Sequence, residues 1–142
     1  MNGSLPHPMD SNSNPCFAEG IRLFNQGHFF EAHEVWEQIW KEAEGEERIF
    51  YQGIIQTAAA LTHVQRGNYQ GAVSVYLKSR PKLDRFPAVW MGIDLEQLRR
   101  QLSQYFHKLQ TFYVHPGSFR RSTGRPTAIG CPPSIKSAPG EH

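Results

Sequence analysis

Cysteine is scarce in this sequence, and the two that occur, Cys16 and Cys131, lie far apart in the chain. The scarcity excludes a framework of disulfides, and the wide separation excludes a zinc site built from closely spaced thiolates. Unpaired cysteines are typical of reducing compartments, where disulfides do not persist. We therefore expect a cytoplasmic protein whose fold depends on its hydrophobic core.

Long apolar runs are also missing. No stretch approaches the roughly 18 apolar residues that mark a membrane-spanning helix. The first residues lack the basic start and apolar stretch of a secretion signal. The chain has neither a glycine-rich phosphate loop nor a Gly-x-Ser-x-Gly elbow, so nucleotide hydrolysis and serine esterase chemistry have no support. We expect no membrane partner.

Charge of one sign does not accumulate over most of the chain, and the formal net charge is only +2. The excess of positive charge falls after Val114, where four basic residues stand against one acid: Arg120, Arg121, Arg125 and Lys136 against Glu141. The preceding part is close to neutral. Because binding to nucleic acid depends on a basic surface, we expect no nucleic-acid partner for the folded part.

The 142 residues are most simply one domain, long enough to bury a core without metal or disulfide staples. Residues 1–14 are rich in Pro, Ser and Asn and predict a flexible N-terminal arm, and residues 114–142 predict a disordered tail containing Pro, Ser and Arg. Between them, in residues 15–113, apolar residues recur at helical spacing. We predict an all-α fold, a compact array of about five helices built from antiparallel helical hairpins with flexible N- and C-terminal tails.

Several residues mark helix boundaries. Asn14 followed by Pro15 predicts a capped helix start, and Asp94 with Gln97 three residues later forms a capping-box pattern. Pro81 should kink or end the fourth helix near residue 80, because proline lacks an N–H group. The predicted helices span approximately residues 15–26, 28–44, 46–66 and 68–80, with a fifth from residue 95 onward.

A short pattern recurs forty residues apart, as Gly-x-Phe-x-x-Ala from Gly27 and as Gly-x-Tyr-x-x-Ala from Gly67. It resembles the turn and second-helix start of tetratricopeptide-type hairpins, in which glycine permits the turn, the aromatic residue seals it and alanine allows close crossing. Two copies are fewer than the roughly three repeats that a stable solenoid needs. The pattern therefore indicates packed helical hairpins.

The second predicted helix carries both aromatic anchors and metal-capable side chains. His33 and Glu37 stand four residues apart, about 6 Å along a helix axis, so their side chains can converge on one ion, water or proton. Phe29, Trp36 and Trp40 share a broad face that must be buried, and His33 lies within it. A polar pair that points into an apolar face needs a partner or a function.

The third predicted helix carries a polar stripe, Gln52, Gln56 and His63, which can face the pair if the two helices are antiparallel. A catalytic divalent metal takes three protein ligands and an open position, so we predict zinc or manganese on His33, Glu37 and His63. Further expected roles are a general base at Glu37 or Glu34, and substrate or second-layer contacts at Gln52, Gln56, Trp36 and Trp40.

Two functions fit this pattern, and the sequence leaves open whether the protein is an enzyme. The first is an interhelical polar or metal-binding site that supports a metal-dependent hydrolase. The second is a noncatalytic, tetratricopeptide-like interaction module, in which the same residues form a structural hydrogen-bond network. The second function predicts a protein partner or a homo-oligomer.

The chain also resembles a known family along residues 16–106. The residues that carry the resemblance are Phe-Phe-Glu-Ala-His-Glu-Val-Trp-Glu-Gln-Ile-Trp, then Tyr-Gln-Gly-Ile-Ile-Gln-Thr-Ala-Ala-Ala-Leu-Thr-His, and later Gly-Ile-Asp-Leu. They are similar to the bacterial, archaeal and plastid family of unknown function numbered 309. The resemblance implies an all-helical fold and a metal-binding role for the motif His-x-x-x-Glu-x-x-Trp, which is His33, Glu37 and Trp40 here.

Overall fold

The computed structural model describes residues 14–114 and 130–139. In this part the chain forms five α-helices, a two-stranded antiparallel hairpin and a π-helical turn, so the prediction of an all-α fold is confirmed. The elements in chain order are α1 (Pro15–Asn25), α2 (Phe29–Trp40), α3 (Gly45–Gln65), α4 (Tyr69–Asp84), β1 (Val89–Trp90), β2 (Ile93–Asp94), α5 (Leu95–Leu109) and the π-helical turn (Gln110–Val114). The predicted N-terminal arm lies outside the described residues except for Asn14.

The caps predicted at α1 and α5 are present. The Asn14 side chain accepts hydrogen bonds from the backbone N–H groups of Cys16 and Phe17. The Asp94 side chain accepts one from the N–H of Gln97. Each bond satisfies a donor that the first turn of a helix would otherwise leave unpaired. These two polar residues therefore determine where α1 and α5 begin.

The repeated glycine pattern forms two turns of the same geometry. Gly27 and Gly67 adopt φ values of 84° and 78°, a region that favours glycine. In each turn the N–H of the next residue donates to the carbonyl five residues earlier, at 2.9 Å. The aromatic and alanine positions of both copies are buried, namely Phe29, Ala32, Tyr69 and Ala72. The α1–α2 and α3–α4 hairpins are thus closed in the same way.

An aromatic cluster fills the space between the first three helices. Phe17 contacts Trp36, Phe50 and Tyr51 with ring centroids about 6 Å apart, and Phe24 packs edge-on against Phe29 at 4.9 Å. Edge-to-face pairs of this kind add to the stabilisation that comes from buried apolar area. The cluster ties α1 to the α2–α3 pair and holds α2 in a fixed orientation.

Helix α2 ends at Trp40, four residues earlier than predicted. Arg48 of α3 donates to the carbonyls of Trp40 and Ala43, at 3.4 and 3.3 Å, and Ala43 is buried. The arginine therefore satisfies carbonyls that a further turn of α2 would have used internally. The prediction continued α2 through Glu42 and Glu44, but these residues lie in the connection to α3. Glu46 and Glu47 lie in the first turn of α3.

The prediction that Pro81 ends or kinks α4 near residue 80 is wrong about the end, because the helix continues through Pro81 to Asp84. Leu83 in the last turn is fully buried beside Gly53 of α3. Arg99 of α5 donates to the carbonyls of Leu83 and Phe86, both at 2.9 Å. Burial and this external cap outweigh the hydrogen bond that proline removes.

The segment 130–139 packs on the helical array, although residues 114–142 were expected to form a disordered tail. Ile135 is buried, and Ser137 pairs with Ile93 of β2 in an isolated antiparallel bridge. The segment contains few apolar residues, so its composition does not predict this packing. The predicted boundary at residue 114 therefore leaves out a part of the folded unit.

Across the two described ranges, every helix is too short or too polar to cross a lipid bilayer.

Candidate polar site between helices α2 and α3

Helices α2 and α3 pair antiparallel, as the sequence predicts. At one end Gln65 donates from Nε2 to the carbonyl of Gly27 at 2.7 Å. At the other end Arg48 donates to the carbonyl of Trp40, and its guanidinium lies 4.0 Å from the centre of the Trp40 ring. His33 and Glu37 lie on α2 between these two ends, alongside the middle part of α3, which contains Gln52 and Gln56.

His33 and Glu37 contact each other on the outer side of this seam. The distance from His33 Nε2 to Glu37 Oε2 is 3.3 Å, and the two side chains are 23% and 44% exposed. The spacing of four residues brings them together on the same face of α2. Solvent therefore reaches the carboxylate more easily than the imidazole.

An exposed aromatic ring holds the imidazole. Phe30, one turn earlier on α2, stacks on His33 with centroids 5.9 Å apart and an interplanar angle of 22°. Phe30 is 41% exposed, and the Arg66 guanidinium lies 5.2 Å from the centre of its ring. The stacking restricts the His33 side chain to a narrow range of orientations.

Two polar atoms of the seam are buried without a hydrogen-bond partner in the described part of the chain. They are His33 Nδ1 and Gln56 Oε1. A buried polar atom without a partner costs free energy, and such atoms are uncommon in folded proteins. The amide oxygen is an acceptor, whereas Nδ1 is a donor or an acceptor according to the tautomer of the ring. The two atoms would complement each other if Nδ1 carried the proton, but no hydrogen bond joins them in the structure.

His63, the predicted third metal ligand, lies elsewhere along the seam. It is two helical turns beyond Gln56, about 10 Å along the axis of α3. Its Nδ1 lies 3.1 Å from the side-chain nitrogen of Asn68, and its carbonyl accepts from the Asn68 N–H. Among residues 14–114 and 130–139, no three His, Cys, Asp or Glu side chains form a group that could hold a metal ion. The structure brings His33 and Glu37 together without His63.

The remaining predicted residues divide between the site, the core and the surface. Gln52 and Gln56 are partly buried on α3. Trp36 is fully buried, and its indole N–H donates to the carbonyl of Phe17 at 3.2 Å, so it belongs to the core and not to a substrate surface. Trp40 is partly buried under Arg48. Glu34 is exposed, because successive helical residues point about 100° apart and His33 faces the seam.

Sequence reasoning missed two residues of the site. Phe30 precedes His33 by three positions, a spacing that brings side chains together on a helix, so its contact could have been predicted. Arg66 follows the last residue of α3, and its approach to Phe30 depends on how the two helices pair. Only the first of these contacts has a signal in the local sequence.

The fold and the site define a class: small helical-hairpin domains with a His–Glu pair on the second helix. The family model described as Domain of unknown function (DUF309) matches residues 17–75, which include both hairpin turns and the polar site. These residues are similar to that family. An uncharacterized protein of Aquifex aeolicus (strain VF5) is 32% identical over 87 residues, which are 61% of this chain and 26% of the relative. The chain thus spans about a quarter of the length of that curated relative.

Proposed function

We propose that the α2–α3 seam binds one divalent cation, zinc or manganese, through His33 Nε2 and Glu37 Oε2. The observation that carries the proposal is the 3.3 Å separation of these two atoms. Two ligands on a tetrahedral ion with bonds of about 2.1 Å stand about 3.4 Å apart. The pair therefore needs little rearrangement to share an ion.

The two buried atoms without partners support the same proposal. A cation on Nε2 leaves the proton of the neutral imidazole on Nδ1, and metal-binding histidines usually donate that proton to a carboxylate or carbonyl oxygen. Gln56 Oε1 is such an oxygen on the part of α3 alongside α2, and a change of side-chain conformation would bring the two atoms together. Cation binding would thus give a role to both atoms.

Two protein ligands leave further coordination positions for water or a substrate. A cation with open positions lowers the pKa of bound water and polarises a carbonyl or phosphoryl oxygen, so hydrolysis is the reaction class that we propose. Glu37 is the carboxylate that lines this position, whereas Glu34 is exposed on another face of α2. The free state of Cys16 and Cys131 fits a cytoplasmic setting, which is part of the proposal.

The second candidate is a noncatalytic, tetratricopeptide-like module for a protein partner or a second copy of the chain. The observation that favours it is the common geometry of the Gly27 and Gly67 turns, which closes two similar hairpins. In that case His33, Glu37 and Gln56 would only fix the register of α2 against α3. The two candidates differ in whether the seam takes up an ion.

Elemental analysis of protein purified without chelator or metal-affinity tag distinguishes them. We expect close to one zinc or manganese per wild-type chain, none in His33→Ala, and retention in His63→Ala. The last variant is a matched control, because it removes a histidine from the same seam that the structure places two turns away. Metal lost equally from both variants would overturn the ligand assignment. Metal absent from the wild type, and from protein dialysed against either ion, would refute cation binding and favour the module.

A further inference from the structure

The segment 130–139 is held mainly through its backbone. Asn25 at the end of α1 donates from Nδ2 to the Ile135 carbonyl at 2.8 Å, and its Oδ1 accepts from the Ile135 N–H at 2.7 Å. Gln101 on α5 makes the same pair of bonds to Ser134, at 3.0 and 3.1 Å. Two side-chain amides thus bind both backbone groups of two consecutive residues. Bonds of this kind do not depend on the side chains of the bound segment.

The same segment extends the β-hairpin at its next residues. The N–H of Asp94 donates to the carbonyl of Lys136 at 2.8 Å, and the N–H of Ala138 donates to the carbonyl of Gly92 at 3.0 Å. Ser137 lies opposite Ile93 between these bonds. Adding an extended strand to an exposed sheet edge is a general mode of peptide recognition, in which backbone bonds supply affinity.

Few side chains of the segment enter the protein. Ile135 and Ala138 are 3% and 5% exposed, and Pro133 is also buried, whereas Lys136 and Ser137 are exposed. Pro133 and Ile135 are separated by two positions, as same-side residues of an extended peptide are, whereas Ala138 lies three positions after Ile135. The surface that receives the segment thus has the features of a peptide-binding groove, formed by the end of α1, by α5 and by the hairpin.

The segment leaves part of this groove unfilled. A cavity of about 440 Å³ lies beside Pro132, with Phe29, Leu61, Val64 and Tyr105 among its lining residues. None of its lining residues is charged. Its other lining residues include the polar Asn25, Gln26 and Gln65, so the cavity suits a bulky group with an apolar body. Because Pro132 lines the cavity, a larger apolar side chain at this position would reach into it and bury more apolar surface.

We propose that this groove is a recognition site for an extended peptide of a partner protein, and that residues 130–139 occupy it as an intramolecular ligand. The peptide that the groove fits best has an isoleucine in the place of Ile135, a small residue in the place of Ala138 and a bulky apolar residue in the place of Pro132. The tethered segment competes at a high effective concentration, so only a peptide that also fills the cavity displaces it efficiently.

The test uses the full chain and two fluorescent peptides with the sequence of residues 130–139, both with Cys131→Ser and one also with Pro132→Phe. Anisotropy titrations compare the wild type with Ile135→Asp, which weakens the intramolecular occupant. We expect the variant to bind both peptides at least about 10-fold more tightly than the wild type does, because the competing segment is released. The peptide with Pro132→Phe should bind about 10-fold more tightly than the other.

Two further substitutions test whether the side-chain amides that hold the segment also hold the peptide. In the Ile135→Asp chain, an added Gln101→Ala should weaken peptide binding about 10-fold, because it removes two hydrogen bonds. As a control, the single variant Lys136→Ala should bind the peptides with the same affinity as the wild type. Circular dichroism identifies any unfolded variant, and Asn25→Ala replaces Gln101→Ala if the latter does not fold. Failure of a folded Ile135→Asp chain to bind either peptide would overturn the proposal. A wild-type dimer that Ile135→Asp dissociates would also overturn it, because the groove would then take the segment of a second copy.

Discussion

Replacing Gln56 by methionine distinguishes a functional site from a structural network in a single variant. Methionine has a similar length and is apolar, so Gln56→Met removes the buried oxygen that has no partner. Such an atom costs about 1–3 kcal/mol. The substitution also removes the amide nitrogen, so we take the lower end of this range. We therefore expect the free energy of unfolding to rise by about 1 kcal/mol in metal-free protein.

This increase corresponds to a rise of about 4–8 °C in the thermal midpoint of a domain of roughly 100 residues. Calorimetry of metal-free protein measures it, and Gln52→Met is the control, one turn earlier on α3. The same Gln56→Met variant should bind zinc about 10-fold more weakly, because it loses the group proposed to orient His33. A destabilised Gln56→Met with unchanged metal affinity would refute the reasoning and indicate a structural network.

Three further predictions concern the fold. Gly20→Ala should cost about 2–3 kcal/mol in urea unfolding, because the new Cβ would lie 2.0 Å from Trp36 Nε1; an unchanged midpoint would contradict the contact between α1 and α2. Pro81→Ala should stabilise the protein by about 1–3 kcal/mol by restoring an N–H donor within α4, and a loss would mean that packing requires the proline. Burial, aided by the charge of Glu47, raises the pKa of Tyr51 well above its usual range, so the folded state keeps the phenol proton to higher pH than the unfolded state. The corresponding stability is present below pH of about 10 and is lost as pH rises beyond it. Tyr51→Phe should flatten this alkaline decline in stability, and an unchanged slope would argue against the burial of the phenol.

The sequence predicts the features of this fold that depend on neighbouring residues. Asn14 and Asp94 cap helices because a polar side chain reaches N–H groups two or three residues away. The glycine turns and the contact between His33 and Glu37 are equally local. Each of these features requires only the regular geometry of a helix or a turn, so a single sequence is sufficient to find it.

The features that the sequence does not predict depend on residues distant in the chain. Arg99 stabilises the end of α4 from another helix, so Pro81 does not end α4 where its chemistry alone would suggest. Ile135 is anchored by Asn25, and the segment around it has no apolar periodicity to reveal this. His63 shares a helical stripe with Gln56, but which residues of that stripe lie beside His33 depends on how α2 pairs with α3.

Nuclear magnetic resonance of the histidine rings during zinc titration shows whether His33 binds the ion through Nε2. Long-range ¹H–¹⁵N spectra report which ring nitrogen carries the proton, and spectra of His33→Ala and His63→Ala assign the two signals. We expect one equivalent of zinc to move the His33 Nε2 resonance to a metal-bound position and to leave the proton on Nδ1, while His63 is unchanged. A His33 signal that does not respond to zinc, or a response confined to His63, would refute cation binding at His33 and Glu37.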